Sequence, residues 1–276
     1  MRNIQLSLFK GIKARFLILL IPLAFMSCIN EPFASYAEFP AVSPDGKYIA
    51  FYYTYANNHG DPPFESGIYI STIDGNNAKL IYNFNGFTRI EWSPTGNQLI
   101  IVNGIISLEN NKFKYFRTNT ILNNAENFSW HPNGKSLLYN INDSIYVCDT
   151  LFQHSRKLPV YGNSASWMLN GESLIYLKRK DIFIADTLSY NEIQITTDGY
   201  QKGEPRCSSD GLFVAYDGSY GINIIQTDGS NQTLLTKGGF PAWVPNRHTI
   251  IYTKLETSYF LWKIDIDGNN NIQITK

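Results

Sequence analysis

Six short runs of unbroken apolar character recur along the chain: Ile49-Ala50-Phe51, Leu99-Ile100-Ile101, Leu137-Leu138-Tyr139, Leu174-Ile175-Tyr176, Val214-Ala215-Tyr216 and Ile250-Ile251-Tyr252. A strand with one wet face alternates apolar and polar residues with period two. These runs do not alternate, so each is predicted to be a strand covered on both faces. Each follows a turn-like segment: Ser43-Pro44-Asp45-Gly46, Ser93-Pro94-Thr95-Gly96, His131-Pro132-Asn133-Gly134, Met168-Leu169-Asn170-Gly171, Ser208-Ser209-Asp210-Gly211 and Val244-Pro245-Asn246-Arg247. The chemistry is that of a tight turn. Pro presets φ, Asp or Asn bonds its own backbone, and Gly accepts positive φ.

Third strands are expected at Ile68-Tyr69-Ile70, Ile145-Tyr146-Val147, Ile182-Phe183-Ile184, Ile222-Asn223-Ile224 and Leu261–Ile264. Outer strands are expected at Lys79–Ile81, Arg156–Leu158, Ile193–Ile195, Thr233–Leu235 and Ile272–Ile274. Asp74-Gly75, Asp228-Gly229 and Asp267-Gly268 between them are hairpin signals. The second copy is the least regular, with outer strands somewhere in 105–121. The turn segments are spaced by 50, 38, 37, 40 and 36 residues, close to the ~40–45 of a propeller blade. The fold class expected is all-β: a six-bladed β-propeller of four-stranded antiparallel blades over residues 36–276. Whether the ring closes through residues 33–38 or leaves Ile272–Ile274 as the outermost strand of its own blade stays open.

Ahead of the turns stand Trp92, Trp130, Trp167 and Trp243. The motif Trp-Ser-Pro-x-Gly, followed by an apolar strand, an aliphatic-Tyr strand and an Asp-Gly hairpin, resembles the repeat of TolB-like six-bladed propellers. It is also similar to that of the propeller domains of the dipeptidyl-peptidase/prolyl-oligopeptidase family. Departures are Val42 and Cys207 in the Trp column, Met168-Leu169 and Ser208-Ser209 in place of Ser-Pro, and Arg247 in place of Gly. The resemblance implies envelope proteins or peptides as partners, docking at the channel mouth. No local motif carries the family's partner-binding residues over to this chain.

The N-terminus reads as an export signal covering residues 1–27. Arg2, Lys10, Lys13 and Arg15 precede the apolar run Phe16–Phe25, which is too short for the ~20 residues of a membrane span. Phe25-Met26-Ser27-Cys28 resembles a bacterial lipobox, which makes Cys28 the expected lipidation site and 28–35 a linker. The expected location is the bacterial cell envelope, facing the periplasm or the cell surface, with the membrane contacted through the lipid anchor only. The formal charge of zero conceals an asymmetry, since the signal holds four bases and no acid. The remaining body is mildly acidic, with 19 bases against 23 acids, and has no electrostatic footprint for nucleic acid. Cys148 and Cys207 fall on strands of non-adjacent units, so two buried free thiols are expected.

No catalytic constellation emerges, and no metal site or cofactor is expected. Gly162-Asn163-Ser164-Ala165-Ser166 lacks the second Gly of a serine nucleophile elbow and reads as a link into the fourth unit. The sixth copy is expected to run to Lys276, and no hydrolase domain is expected after it. His131, His154 and His248 are isolated from one another. His59, Asp61 and Glu65 lie in a Gly-, Pro- and Asn-rich insertion that reads as an exposed loop. Asp265-Ile266-Asp267-Gly268-Asn269 lacks the further acids of a calcium loop and reads as a hairpin turn. Lys178-Arg179-Lys180 reads as a solvated turn.

The residues just before each turn belong to the innermost strands, which border the channel. Among them Phe39, Arg89, Glu91, Glu204, Arg206 and Phe240 form the candidate binding set at its mouth. Arg89/Glu91 and Glu204/Arg206 set opposite charges in the second and fifth units; mutual pairing and recognition of a polar or zwitterionic group are both open. The function expected is a non-enzymatic envelope lipoprotein whose propeller is a protein- or ligand-binding platform, a small molecule or saccharide being a possible ligand. The alternative is a glycan lyase or hydrolase with its site in the channel, for which these columns offer only Glu91 and Glu204.

Overall fold

The computed structural model describes residues 34–56, 66–86, 88–102, 104–109, 112–115 and 124–275. The export signal, Cys28 and the linker up to residue 33 lie outside the described residues, as does the insertion 57–65 with His59, Asp61 and Glu65. The described residues belong to one compact unit, Pro32–Lys276.

That unit is all-β, a propeller arrangement of four-stranded antiparallel blades. One run comprises β1 (Ala34–Val42), β2 (Tyr48–Ala56), β3 (Gly67–Thr72) and β4 (Lys79–Asn83). A second comprises β5 (Glu91–Trp92), β6 (Gln98–Ile101), β7 (Gly104–Ser107) and β8 (Lys112–Tyr115). Next come β9 (Glu126–Trp130), β10 (Ser136–Ile141), β11 (Ser144–Asp149) and β12 (Arg156–Tyr161). They are followed by β13 (Asn163–Trp167), β14 (Ser173–Lys178), β15 (Asp181–Asp186) and β16 (Glu192–Gln194). Then β17 (Gly203–Cys207), β18 (Phe213–Gly218), β19 (Gly221–Gln226) and β20 (Thr233–Thr236) precede the last run. It holds β21 (Gly239–Trp243), β22 (Thr249–Leu255), β23 (Tyr259–Asp265) and β24 (Ile272–Gln273). Four of these runs are separate four-stranded sheets. The first and last are joined into one eight-stranded sheet by a single parallel pairing, Tyr36 with Tyr259. Both closure devices left open by the sequence therefore coexist: β24 pairs with β23 of its own run, and the start of β1 clasps β23. The rings of Tyr36 and Tyr259 stack 5.2 Å apart across that clasp.

The apolar triplets show why the runs do not alternate. Leu137 and Tyr139 pack toward Ile100 and Ile105 of the preceding run, while Leu138 packs toward Ala165, Leu174 and Tyr176 of the next. Ile49 and Phe51 likewise join Val244, Ile251 and Leu261 of the last run, whereas Ala50 joins Trp92 and Leu99 of the second. Each core cluster thus lies between consecutive runs, and one of them joins the last run to the first. Full burial of each Leu, Ile or Phe side chain stabilises by about 1.5–3 kcal/mol, so the core is spread around the ring.

Turn chemistry acts as the sequence predicts. The Gly46 N–H donates to Ser43 O at 2.8 Å with φ +71°, and the Ser43 hydroxyl accepts the Tyr48 N–H that opens β2. Where Arg247 stands in the Gly column, the positive φ moves one residue back to Asn246 (φ +58°), a residue type that tolerates it. The Asp267-Gly268 string is a hairpin turn between β23 and β24, as expected: Gly268 N–H donates to Asp265 O at 2.9 Å. Two strand ends differ, because Ile195 and Ile274 fall just past β16 and β24. Each instead donates its N–H back to the adjacent third strand, to Ile182 O and Leu261 O.

Candidate functional site

Five innermost strands share one irregularity. Their pairing shifts register between Glu38 and Ala41, Asn163 and Ser166, Gly203 and Arg206, Gly239 and Ala242, and at the corresponding place in β9. At each shift a non-glycine residue takes positive φ: Phe39, Ser164, Glu204, Phe240 and Asn127, all between +50° and +56°. A left-handed conformation costs an L-residue about 1–2 kcal/mol, and such bulges re-aim side chains. In this ring they stand beside the channel.

The sequence carries the means of holding these bulges, in a feature its apolar pattern hides. The residue after the buried second-strand Tyr is polar in three runs, and each bonds the next bulge. Asn140 accepts the Ala165 N–H at 3.1 Å and donates to Gly162 O at 2.9 Å. Asp217 accepts the Phe240 N–H at 2.9 Å. Thr253 donates to Ala37 O at 3.5 Å. Asp217 was not among the sequence-derived candidates, and an acid ending an otherwise apolar strand is the signal for it.

All six candidate residues, Phe39, Arg89, Glu91, Glu204, Arg206 and Phe240, line one cavity of about 380 Å³. A smaller one of about 210 Å³ shares Phe39, Arg89, Glu91 and Glu204 as wall residues. Asn127 lines the smaller cavity, and Ser164 lines neither. The Glu204 carboxylate lies against the Arg89 guanidinium and 3.4 Å from Arg206 Nη2. Arg89 and Glu204 come from the second and fifth runs, and the structure pairs them. Arg89 Nη1 also donates to Asn127 Oδ1 at 3.1 Å, and Arg206 Nη1 to its neighbour's Pro205 O at 3.0 Å. Arg89 precedes β5 and is not part of it, since that inner strand is reduced to Glu91–Trp92. The Phe39 and Phe240 rings meet at 4.3 Å.

The larger cavity is rimmed by the turn residues Pro44, Pro94, Pro132, Pro245 and Leu169, with Trp92, Trp130, Trp167 and Trp243 in its wall. The tryptophans join one run to the preceding one in two ways. Trp92 and Trp243 donate their indole N–H to the carbonyls of Ala41 (2.9 Å) and Arg206 (2.8 Å). Where the preceding residue offers a side-chain acceptor, the backbone N–H is used instead: Trp130 N–H to Glu91 Oε1 at 2.7 Å, Trp167 N–H to Ser129 Oγ at 3.1 Å. The indole N–H groups of Trp130 and Trp167 are then buried with no protein partner.

Burial sets the acid–base character of the wall. The Glu91 carboxyl is pushed up to about 7, because loss of solvent outweighs the Trp130 N–H, the Arg89 charge and the Ser129 hydroxyl. Asp217 is pushed up to about 8 by burial and by the Glu204 charge, against the Phe240 N–H and Arg89. Cys148 is a buried free thiol. Cys207 is free too but only half-buried, a correction to its expected burial, because its column faces this cavity. Burial raises both thiols to about 12, far from a reactive thiolate.

Among the described residues the histidines serve turns and contacts between runs. His131 Nε2 meets Gly171 O at 3.1 Å, His248 Nε2 meets Asp210 Oδ2 at 2.7 Å, and His154 Nδ1 meets Asp149 Oδ2 at 2.9 Å. No group of three or more His, Cys, Asp or Glu side chains is placed to hold a metal ion among the described residues. No helix there is long and apolar enough to cross a membrane.

No protein-family model and no curated protein sequence matches the chain. Solved structures do. TolB from Acinetobacter baumannii superposes with a TM-score of 0.67 at 18% identity, over 88% of this chain. The chain is a β-propeller similar in fold to TolB. It spans 64% of the length of that TolB structure. The Cps50 (Swd1) β-propeller domain of Myceliophteria thermophila gives a TM-score of 0.57 at 12% identity, covering 89% of this chain and all of that one. An oligogalacturonate lyase in complex with manganese gives 0.56 at 9% identity, covering 89% of this chain and 79% of the lyase. At such identities the likeness is one of fold, and function has to come from the site.

Proposed function

We propose that the protein is a non-enzymatic binding platform of the bacterial cell envelope, a six-bladed propeller tethered by lipid on Cys28, that holds a protein or peptide partner at its channel mouth. The blade count takes β1–β4 and β21–β24 as two blades whose strands pair only at Tyr36 and Tyr259. Six core clusters, each between consecutive runs, support it.

The observation that carries the binding role is the composition of the larger cavity: four tryptophans, a proline rim, Phe39 against Phe240, and a charged floor of Arg89, Glu204 and Arg206. Aromatic and Arg anchors in a concave site are the residues that dominate binding energy. Each acid of the site uses one oxygen to hold its wall together. Glu91 takes the Trp130 N–H, Glu204 takes the two arginines, and Asp217 takes the Phe240 N–H. The fold likeness to TolB is an analogy in the same direction.

Leu169 lines the cavity rim and is 58% exposed, whereas Leu188, in the turn after β15, is 94% exposed. A photoreactive amino acid at Leu169 is expected to capture an envelope protein in intact cells, and one at Leu188 to capture none. Equal labelling from both positions, or none from Leu169, removes the reading.

A further inference from the structure

The larger cavity concentrates cationic donors on one carboxylate. Two guanidinium groups, Arg89 and Arg206, share one carboxylate, Glu204, and it approaches Arg206 only to 3.4 Å. The other guanidinium contacts are single neutral oxygens, Asn127 Oδ1 for Arg89 and Pro205 O for Arg206. Arg89 Nε is buried without a partner, and so are the indole N–H groups of Trp130 and Trp167, whose rings line the same cavity. Trp130 itself is 6% exposed. Each buried donor left unmet costs about 1–3 kcal/mol. The nearby acids are each partly engaged. Glu91 Oε1 is committed to the Trp130 N–H and the Ser129 hydroxyl, and Asp217 Oδ1 to the Phe240 N–H. Burial raises both carboxyls to about 7 and about 8, so they offset the arginines only in part near neutral pH. Around the donors the surface is apolar: Phe39, Phe240 and the proline rim.

We propose that this cavity is a carboxylate-binding site in which Glu204 is an internal stand-in for the ligand: an acid with an apolar body displaces Glu204 from Arg206 and seats its carboxylate on the two arginines. Glu204 stands at a left-handed bulge (φ +50°) with its side chain 22% exposed, at the wall of both cavities. The shared cavity wall gives the displaced carboxylate a place on the side of the smaller cavity. Arginine forks suit the planar, bidentate geometry of a carboxylate. The apolar body packs on the Phe39–Phe240 pair and the tryptophans. The inference rests on the channel-mouth reading for its location and adds the chemistry of what is held. A carboxylate of this kind arises from a free organic acid or from the C-terminus of a peptide.

Four of the five tryptophans, Trp92, Trp130, Trp167 and Trp243, line the cavity, so intrinsic fluorescence reports occupancy. The purified protein is titrated with 3-phenylpropionate and its primary amide, and with a short peptide ending in Phe whose C-terminus is free or amidated. At least one acid is expected to bind and its amide not to. Glu204→Gln, which removes the internal competitor, is expected to tighten acid binding about tenfold. Arg206→Gln is expected to abolish it, and the acid-against-amide comparison needs no variant at all. Binding by the small acid assigns the site to a free organic acid, and binding by the free peptide alone assigns it to a chain end. Amides binding as well as acids, Glu204→Gln weakening the acid, or no acid binding either protein overturns the proposal. A protein that still cross-links its partner from Leu169 while binding no acid keeps the platform and loses the carboxylate site.

Discussion

Glu91 joins β5 to β9 and does so from a position where its charge is poorly solvated. Burial pushes the Glu91 carboxyl up to about 7 from its ordinary 4.5, so the folded state holds the proton more tightly than the unfolded chain does. Stability from this group is therefore fully present below about pH 4.5 and falls as pH rises toward 7, then levels off. Integrating that difference gives a loss of about 2.5 kcal/mol between roughly pH 5 and pH 8. Glu91→Gln keeps an oxygen for the Trp130 N–H and cannot ionise, so this part of the slope disappears. Urea unfolding of both proteins across that range is the assay. The variant is expected to gain about 2.5 kcal/mol on the wild type from the acid to the alkaline end, or about 5–10 °C in Tm. Asp217 adds a slope of the same sign to both proteins and cancels in the comparison. Parallel profiles, or a variant that loses ground as pH rises, would refute the burial argument for Glu91.

Three further outcomes follow from the same contacts. Trp92→Phe breaks the indole bond to Ala41 O, whereas Trp130→Phe removes an N–H with no partner. In urea unfolding the first is expected to cost about 1 kcal/mol more than the second; equal costs contradict the assignment. Asp217→Asn keeps an acceptor for the Phe240 N–H and removes a carboxyl raised from 3.8 to about 8. Its stability relative to wild type is expected to rise from pH 4 to 8, and a fall is inconsistent with the burial. Cys28→Ser is expected to move the protein from the membrane fraction to the soluble fraction of fractionated cells, and retention in the membrane counts against the lipid anchor.

The blades were legible because each apolar triplet must satisfy two neighbours at once. Leu137 and Leu138 face opposite runs, and only a stacked arrangement demands three apolar residues in succession there. The candidate site was legible for a related reason: residues at a fixed offset before each turn must reach the channel, so Phe39, Arg89, Glu91, Glu204, Arg206 and Phe240 could be placed together from the repeat alone. What the repeat does not encode is how side chains meet across the ring. The pairing of Arg89 with Glu204 joins runs far apart in the chain, and the bulges of β1, β13 and β21 depend on partners in the preceding run. Asp217 and Asn140 escaped notice because a polar residue closing a buried strand reads as an edge. In the fold each holds the backbone of the next blade.

Residues far apart in the chain face one another at a common channel, and a double-mutant cycle on Arg89 and Glu204 measures that directly. Stability is determined for the wild type, Arg89→Met, Glu204→Gln and the double variant. A coupling of about 1 kcal/mol or more between the two changes is the predicted result, since both side chains are largely shielded and in contact. Effects that add to within about 0.3 kcal/mol would mean that the two side chains never meet, and the channel-mouth site would go with them.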